Sequence, residues 1–343
     1  MSDGQTDGRG RGIELSVVCP FYNEALIIEE AVSRLIARMR KLSCSWELIV
    51  VNDGSTDGSE AIVERLCDAE PRLWLLSYDV NRGRGYALRQ GIRHARGEII
   101  VTMEIDLSWG EDIVERLYRE ITAHPECDAV VASPNMTGGG YRNVPWRRVL
   151  VSRVGNLIIR ACMTNAVTMN TGMTRAYRAA VVKRIPFEED GKEFHLEVLL
   201  KMVTLGYRLR EIPCVLEWKE YKLAGRRKKR KSSSRINKLI VSHSLFSLFA
   251  NPIRYVWALG VGVLILALGF FCIGCVLFVQ GRVSVYALML SVLFGSMAML
   301  FFTLGVITHQ GHTIQRELWL LREQLGGANG RDRGVRVVNR AAL

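Results

Sequence analysis

"EIIVTMEIDLSWGED" (98–112) runs from an apolar stretch straight into carboxylates. Ile99, Ile100 and Val101 read as a buried strand, being consecutive, β-branched and uncharged. Glu104 and Asp106 follow two residues apart, then Glu111 and Asp112. Residues two apart on an extended chain project to the same side. A core strand that ends in paired carboxylates calls for positive charge beyond it. That charge is either a divalent cation, which prefers hard oxygen ligands, or the amino end of the next helix. Glu111 and Asp112 suit the helix. For Glu104 and Asp106 this stretch alone leaves both readings open.

The same design repeats along the chain. "IELSVVCP", "WELIVVND" and "LWLLSYD" read as three earlier strands, "EIIVTME" as the fourth and "CDAVVAS" as the fifth. Segments such as "EALIIEEAVSRLIARMRKL" and "EDIVERLYREITAH" between them carry apolar residues at helical spacing. The alternation predicts an α/β fold, a Rossmann-like, mostly parallel sheet with helices on both faces. Its ligand crevice would lie at the carboxyl ends of the strands. Polar punctuation collects at those ends, in "CPFYNEA" (19–25), "VNDGSTDGS" (51–59) and "NRGRGYALRQG" (81–91). Asp53 and Ser55 are candidates to hydrogen-bond a nucleobase or ribose, and Asp57 to cap the following helix. Arg82 and Arg84 offer charge to phosphates, and their glycine neighbours permit close backbone approach. No GxxxxGK[ST] or GxGxxG pattern occurs, which argues against a P-loop ATPase or a nicotinamide enzyme.

The 343 residues carry a net charge of +12, which points to an anionic partner: nucleic acid, membrane or a phosphorylated substrate. Eight cysteines show no zinc-site spacing, and Cys272 and Cys275 lie inside an apolar run, where packing explains them. Without a disulfide framework, a reducing, cytoplasm-facing main domain is expected. The polar, glycine-rich "MSDGQTDGRGRG" (1–12) lacks the apolar core of a secretory signal and reads as a flexible tail.

After Trp218 the composition changes. "GRRKKRKSSSRINK" (225–238) holds eight basic residues in fourteen, and "INKLIVSHSLFSLFANP" after it reads as an amphipathic helix. Tyr255–Val279 then carries no charge for 25 positions and Val283–Thr308 none for 26. Each exceeds the roughly 20 apolar residues that cross a bilayer as a helix. "QGR" (280–282) joins them as a hairpin. The basic run precedes the first span, and Arg316, Arg322 and Arg331 follow the second, whereas the intervening loop has Arg282 alone. That bias predicts an integral membrane protein of the cell or inner membrane, with both termini and the large domain cytoplasmic. A basic run beside an amphipathic helix and a span favours anionic lipid headgroups over nucleic acid. "TIQRELWLLREQLGG" (313–327) has an apolar stripe that fits either self-association in a homo-oligomer or a membrane-surface helix. The expected organisation is a tail at 1–12, the α/β domain at 13–218, a basic juxtamembrane segment with its amphipathic helix at 219–253, the hairpin at 254–308 and a cytoplasmic tail at 309–343 with a short helix. The final residues read as unstructured.

Taken in order, "SVVCPFYNE", "ELIVVNDGSTDGS", "NRGRGYALRQGI" and "MEIDLSWGED" resemble the donor-site motifs of the family-2 glycosyltransferases of GT-A fold. The resemblance extends to "GKEFHLEVLLKMVTLGYRLREIPC" (191–214) and covers nearly all of residues 13–218. With the hairpin, the chain looks most like the polyprenyl-phosphate branch, similar to dolichol-phosphate-mannose synthases. The resemblance implies that Pro20, Tyr22, Glu24 and Asp53 hold the nucleotide and that Asp106 is the principal ligand of Mg2+ or Mn2+. Glu104 stands at the first Asp of the family's DxD motif, and Ser108 where some relatives place a further ligand. "SPNMTGGGYRNVPWRRVLVSRVGN" (133–156) resembles the segment that handles the acceptor phosphate, with Arg148 matching an arginine that binds it. A nearer family arginine is replaced by Pro134, so Arg147 or Arg153 would substitute. "MNTGMTRAYR" (169–178) also departs from an aspartate-containing motif of many relatives. Arg230, Ser234 and Arg235 resemble a basic segment that closes over the diphosphate.

The implied reaction moves a sugar from a nucleoside-diphosphate sugar to an undecaprenyl or dolichyl phosphate, with inversion. Should a base be needed, Glu193 and Glu197 at the start of a helix are the candidates; favouring the helix amino end explains them equally well. Two alternatives stay open: transfer to a membrane lipid hydroxyl, and a silent nucleotide-sugar-binding scaffold. A processive polysaccharide synthase would carry QxxRW, whereas "QRELW" (315–319) lacks that spacing.

Overall fold

The structure is a computed structural model that describes residues 12–162, 167–218, 252–324 and 335–339. Expectations for 1–11 and 219–251, among them Arg230, Ser234, Arg235 and the juxtamembrane helix, lie outside the described residues. The chain divides into two compact units, Met1–Ser233 with Leu321–Leu343, and Ser234–Leu320.

In the first unit the five expected strands form as β1 (Leu15–Phe21), β2 (Trp46–Asp53), β3 (Leu73–Tyr78), β4 (Ile99–Thr102) and β5 (Ala129–Ser133). Strand β2 is buried at all eight positions, its apolar run Leu48–Val51 having the form of a strand covered on both faces. β1 pairs in parallel with β2 and β4, and β2 with β3. Helices α1 (Ile28–Met39), α2 (Ser59–Ala69), α3 (Arg84–His94) and α4 (Ile113–Ala123) fill the crossovers. α1 buries Ile28, Ala31, Val32, Leu35, Ile36 and Met39, the three-and-four spacing of one helical stripe.

Further along come β6 (Gly140–Arg142), α5 (Trp146–Cys162), β7 (Arg175–Arg178), α6 (Ala179–Val182), α7 (Phe194–Thr204), β8 (Leu209–Pro213) and β9 (Val215–Glu217). β6 and β9 make a separate parallel pair. β7 runs antiparallel between β4 and β5, and β8 pairs with β5 in parallel. β7 has no apolar run to announce it. It carries Arg175, fully buried, whose guanidinium donates to the carbonyls of His195 (2.8 Å) and Asn170 (2.7 Å).

The second unit contains α8 (Pro252–Val279) and α9 (Val285–Gln324), the latter reaching into the tail. Their apolar stretches, Val256–Val279 and Val285–Gly311, are long and apolar enough to cross a membrane, and only 11% of each is buried. A soluble core helix of that composition would hide most of its surface; apolar faces left open suit lipid. α8 ends in a Schellman turn, with Arg282 N–H donating to Leu277 C=O, Gly281 N–H to Phe278 C=O, and Gly281 at φ +76°. The expected hairpin loop is therefore a built turn. Phe270 stacks on Phe294 at 5.7 Å across the pair. The short helix expected in the 309–343 tail is not separate, since α9 continues through Gln324.

The tail supplies a second correction. Arg336–Val338 forms strand β10, antiparallel to β3 at the sheet edge. The full order is β10-β3-β2-β1-β4-β7-β5-β8.

α3 lies on β1 and β2 through Gly91, where an added Cβ would collide with Val18 Cγ1 and press on Val51 Cγ2 at 3.2 Å. In an open helix Gly→Ala gains about 1 kcal/mol. Here overpacking reverses the sign and costs about 1–3 kcal/mol. Gly91→Ala is expected to lower the thermal unfolding midpoint of the full-length protein by several degrees. A rise in that midpoint would contradict this packing.

Candidate active site

The parallel strands β1 to β4 bring the first four strand-end loops to one edge, and side chains of one loop satisfy amides of the next. Asn23 N–H donates to Ser55 Oγ (3.0 Å), Thr56 N–H to Asn23 Oδ1 (2.8 Å) and Ala25 N–H to Asp57 Oδ2 (2.9 Å). Asp57 also accepts the Ser59 N–H at 3.0 Å, serving the first amide of α2 from one position before the Gly58 N-cap. Burial works against the Asp57 charge, but the bonds from Ser59 and Ala25 outweigh it and hold the carboxyl below its usual range.

Asp53 ties the second loop to the third. Its carboxylate accepts the Tyr78 hydroxyl (2.9 Å) and the N–H groups of Arg82 (2.9 Å) and Gly83 (3.1 Å). Burial, then the Asp53 charge, pushes the Tyr78 phenol well up, so it stays a donor. Gly54 sits at φ +68°, and a Cβ there would meet Asn81 N at 2.5 Å, so this crossing of loops needs glycine. The sequence nominates Asp53 for a nucleobase; in the structure it is buried and also the staple of the 81–83 turn. Tyr78 is a member of the site that no motif revealed.

The third loop differs from expectation in one respect. The Arg82 and Gly83 amides go to Asp53, and those of Gly85 and Tyr86 to the Asp190 carbonyl at 2.8 and 3.2 Å. Cβ atoms at Gly83 and Gly85 would meet the carbonyls of Asp190 (2.5 Å) and Glu189 (2.7 Å). The glycines thus admit the 189–191 segment, and the backbone approach they permit is to protein. The positive charge at this edge belongs to side chains: exposed Arg84, and Arg82, held over Tyr86 at 4.8 Å.

Glu104 and Asp106 lie beyond the last residue of β4. The extended-strand reading therefore ends early, yet exposure still alternates, with Met103, Ile105 and Leu107 buried and the two carboxylates half-buried. Leu107 takes φ +52°, which turns the chain toward α4. Glu104 Oε2 accepts Trp109 Nε1–H (3.0 Å) and Thr174 Oγ–H (2.6 Å), a support from β7's approach that the sequence did not signal. Asp106 Oδ1 accepts the Ser108 N–H (2.9 Å) and hydroxyl. Ser108 is itself buried and directed at Asp106. Among the described residues no group of three His, Cys, Asp or Glu side chains converges as a closed metal cage. One or two carboxylates at an open edge match how Mg2+ or Mn2+ is held when substrate phosphates and water complete the shell. The donor set fits the cation.

Pro20 lies next to the end of β1, opposite Val51, Tyr22 is exposed, and Glu24 follows in the same loop. Arg147, Arg148 and Arg153 lie exposed on α5, over the rings of Trp146 (5.5 Å), Trp218 (4.8 Å) and Tyr141 (5.8 Å). Trp218 follows β9, whose Glu217 N–H donates to Ser108 C=O at 2.8 Å. This chain of contacts brings Arg148 toward the Asp106 turn.

Glu197 is the candidate that the structure engages elsewhere. It is buried on α7, accepts the Glu188 and Glu189 N–H groups (2.9 and 3.0 Å) and pairs with Lys201 at 2.7 Å. Its oxygens hold the 187–191 turn and offset the Lys201 charge, which gives it a structural role. His195 is buried too; burial, then Arg175 and Arg84, keeps its pKa well below the usual imidazole range and the ring neutral.

The sheet and these strand ends coincide with a family-level match to Glycosyl transferase family 2 over residues 16–186. The chain belongs to this family. It is 27% identical over 217 residues to the dolichyl-phosphate beta-glucosyltransferase ALG5A of Trichomonas vaginalis, covering 61% of this chain and 66% of that protein. It is 28% identical over 211 residues to the polyprenol monophosphomannose synthase of Mycolicibacterium smegmatis, covering 60% and 77%. The chain thus spans about two thirds of the trichomonad protein's length. The crystal structure of mannosyl-3-phosphoglycerate synthase from Rubrobacter xylanophilus superposes with a TM-score of 0.52 at 18% identity, over 69% of this chain and 74% of that one, a likeness of fold. The fold is GT-A.

Replacing Glu197 by Gln leaves the Lys201 ammonium buried without its countercharge, at a cost of about 3 kcal/mol. Glu197→Gln is expected to lower the melting temperature by about 6 °C or more, while the folded protein keeps its turnover number. Loss of turnover at an unchanged melting temperature would restore Glu197 as a catalytic base.

Proposed function

We propose that this protein is a membrane-bound inverting glycosyltransferase that moves a sugar from a nucleoside-diphosphate sugar to a polyprenyl phosphate. The observation that carries this reading is the presence, in one chain, of a family 2 fold and two apolar helices fit to cross a bilayer. The names of the two relatives, both acting on dolichyl or polyprenol phosphates, support the acceptor class.

In this reading the nucleoside lies against the Tyr22, Glu24 and Asp53 loops, and Arg84 faces its phosphates. Asp106, supported by Ser108, and Glu104, supported by Trp109 and Thr174, would hold Mg2+ or Mn2+. When bound, the cation supplies charge stabilisation for the departing diphosphate. Arg148, with Arg147 and Arg153 beside it, orients the acceptor phosphate for attack on the anomeric carbon from the face opposite the leaving group. A phosphate monoester is largely dianionic above its second pKa of about 6, so the nucleophile arrives already ionised. That removes the need for a base, in keeping with the engagement of Glu197 elsewhere. A lipid hydroxyl would need one, which disfavours that alternative.

The domain boundaries follow the same reading: catalytic domain 13–218, basic juxtamembrane segment 219–253, hairpin from 254, and a tail that returns to the sheet. β10 follows both apolar helices in sequence and pairs with β3, which precedes them. Chain segments joined in one sheet share a side of the membrane, which supports two crossings or none. The basic flanks at 225–238 and after α9 support the cytoplasmic side.

Membranes carrying the protein, given labelled nucleotide sugars and polyprenyl phosphate, are expected to form a glycosyl-phosphoryl-polyprenol. Asp106→Ala is expected to cut that rate at least about 100-fold, and EDTA to abolish it until Mn2+ or Mg2+ is restored. Unchanged turnover in Asp106→Ala, or transfer only to unphosphorylated lipid, would overturn the proposal.

A further inference from the structure

The tail strand does more than cover a sheet edge. Arg336 stands opposite Ser77 on β3, and Asn339 Nδ2 donates to the Pro71 carbonyl at 2.9 Å. The Arg336 guanidinium pairs with Glu60 and lies 3.4 Å from Glu64, both on α2. Glu60 is a junction. Its carboxylate accepts Asn52 Nδ2–H at 2.9 Å and the Ser77 hydroxyl at 2.8 Å, and Asn52 and Ser77 are both buried. Asn52 Oδ1 in turn accepts the Ser55 N–H at 2.9 Å, and Ser55 Oγ accepts the Asn23 N–H at 3.0 Å. An unbroken series of hydrogen bonds thus runs from the tail, through the end of β2, into the loops that carry Tyr22, Glu24 and Asp53.

We propose that Arg336 is a positioning residue for the nucleotide-binding loops: by fixing Glu60 it sets the Asn52 amide, and through it Ser55 and Asn23. This rests on the donor-site reading above. An exposed ion pair taken alone contributes little. Here one partner also accepts from two buried donors, and a buried network responds to the setting of each member. Asn52 can point Oδ1 at Ser55 only while Nδ2 points at Glu60 and Ser77, because one amide plane sets both. Losing Arg336 frees the Glu60 carboxylate to turn toward solvent, and the amide loses its fixed orientation. Donor affinity then depends on the chain returning to the sheet after α9, although that return touches no substrate.

The test compares full-length, detergent-solubilised wild type, Arg336→Ala and Arg336→Lys. Hydrogen exchange is read without nucleotide over 22–27 and 52–57, UDP and GDP binding is measured with Mn2+, and KM and kcat are determined for the sugar donor. Arg336→Ala is expected to speed exchange in both loops. It should also weaken nucleotide binding and raise donor KM by about threefold to fivefold, with kcat nearly unchanged and most of the effect recovered in Arg336→Lys. A general loss of stability would instead lower the active fraction and kcat. Wild type that binds nucleotide while Arg336→Ala exchanges and binds equally overturns the positioning role alone. Wild type that binds neither nucleotide overturns the donor-site reading and the positioning role with it.

Discussion

Parallel pairing of β3, β2, β1 and β4 forces four carboxyl ends onto one edge of the sheet, and the site follows from that constraint. Each strand leaves the ladder with backbone groups that still need partners. The loops solve this for one another: Asp57 serves Ala25, Ser55 serves Asn23, and Asp53 serves Arg82 and Gly83. Once the backbone is stitched in this way, the exposed or half-buried groups of Tyr22, Arg84, Glu104 and Asp106 stand on a floor that does not have to rearrange. Preorganisation of that kind lets charged groups act on a leaving diphosphate without first being ordered.

Much of this was legible in the residues because parallel strands are written as plain apolar runs. "WELIVVND" and "EIIVTME" need no context to be read, and the polar punctuation after each marks the crevice. β7 escaped because "RAYR" has arginines where a strand pattern expects apolar side chains, and Arg175 is satisfied in the core by the carbonyls of Asn170 and His195. β10 escaped because three residues in a basic, glycine-rich tail gain strand geometry only from a partner 259 positions earlier, Arg336 opposite Ser77. Glu197 misled for another reason. Helical spacing cannot distinguish a carboxylate facing a crevice from one facing a buried lysine at i+4.

Two assignments changed meaning without changing place. Asp53 remains at the strand-end edge, but its bonds to Tyr78, Arg82 and Gly83 make it the tie between two loops, whatever contact it makes with the proposed nucleotide. The glycines of "NRGRG" stay beside the crevice, but they make room for the 189–191 segment, whose Asp190 carbonyl caps the first turn of α3. That leaves guanidinium groups as the positive charge at this edge, which suits the proposed reaction, whose acceptor and leaving group are both phosphate esters. The tail adds a link of another kind, since a single sheet contains strands from before and after the apolar helices.

Anomalous diffraction from crystals grown with Mn2+ and a nucleoside diphosphate would locate the cation directly. A manganese peak at the Asp106 and Glu104 carboxylates is expected. A peak elsewhere, or bound nucleotide with no cation near Asp106, would contradict the proposed chemistry at the end of β4.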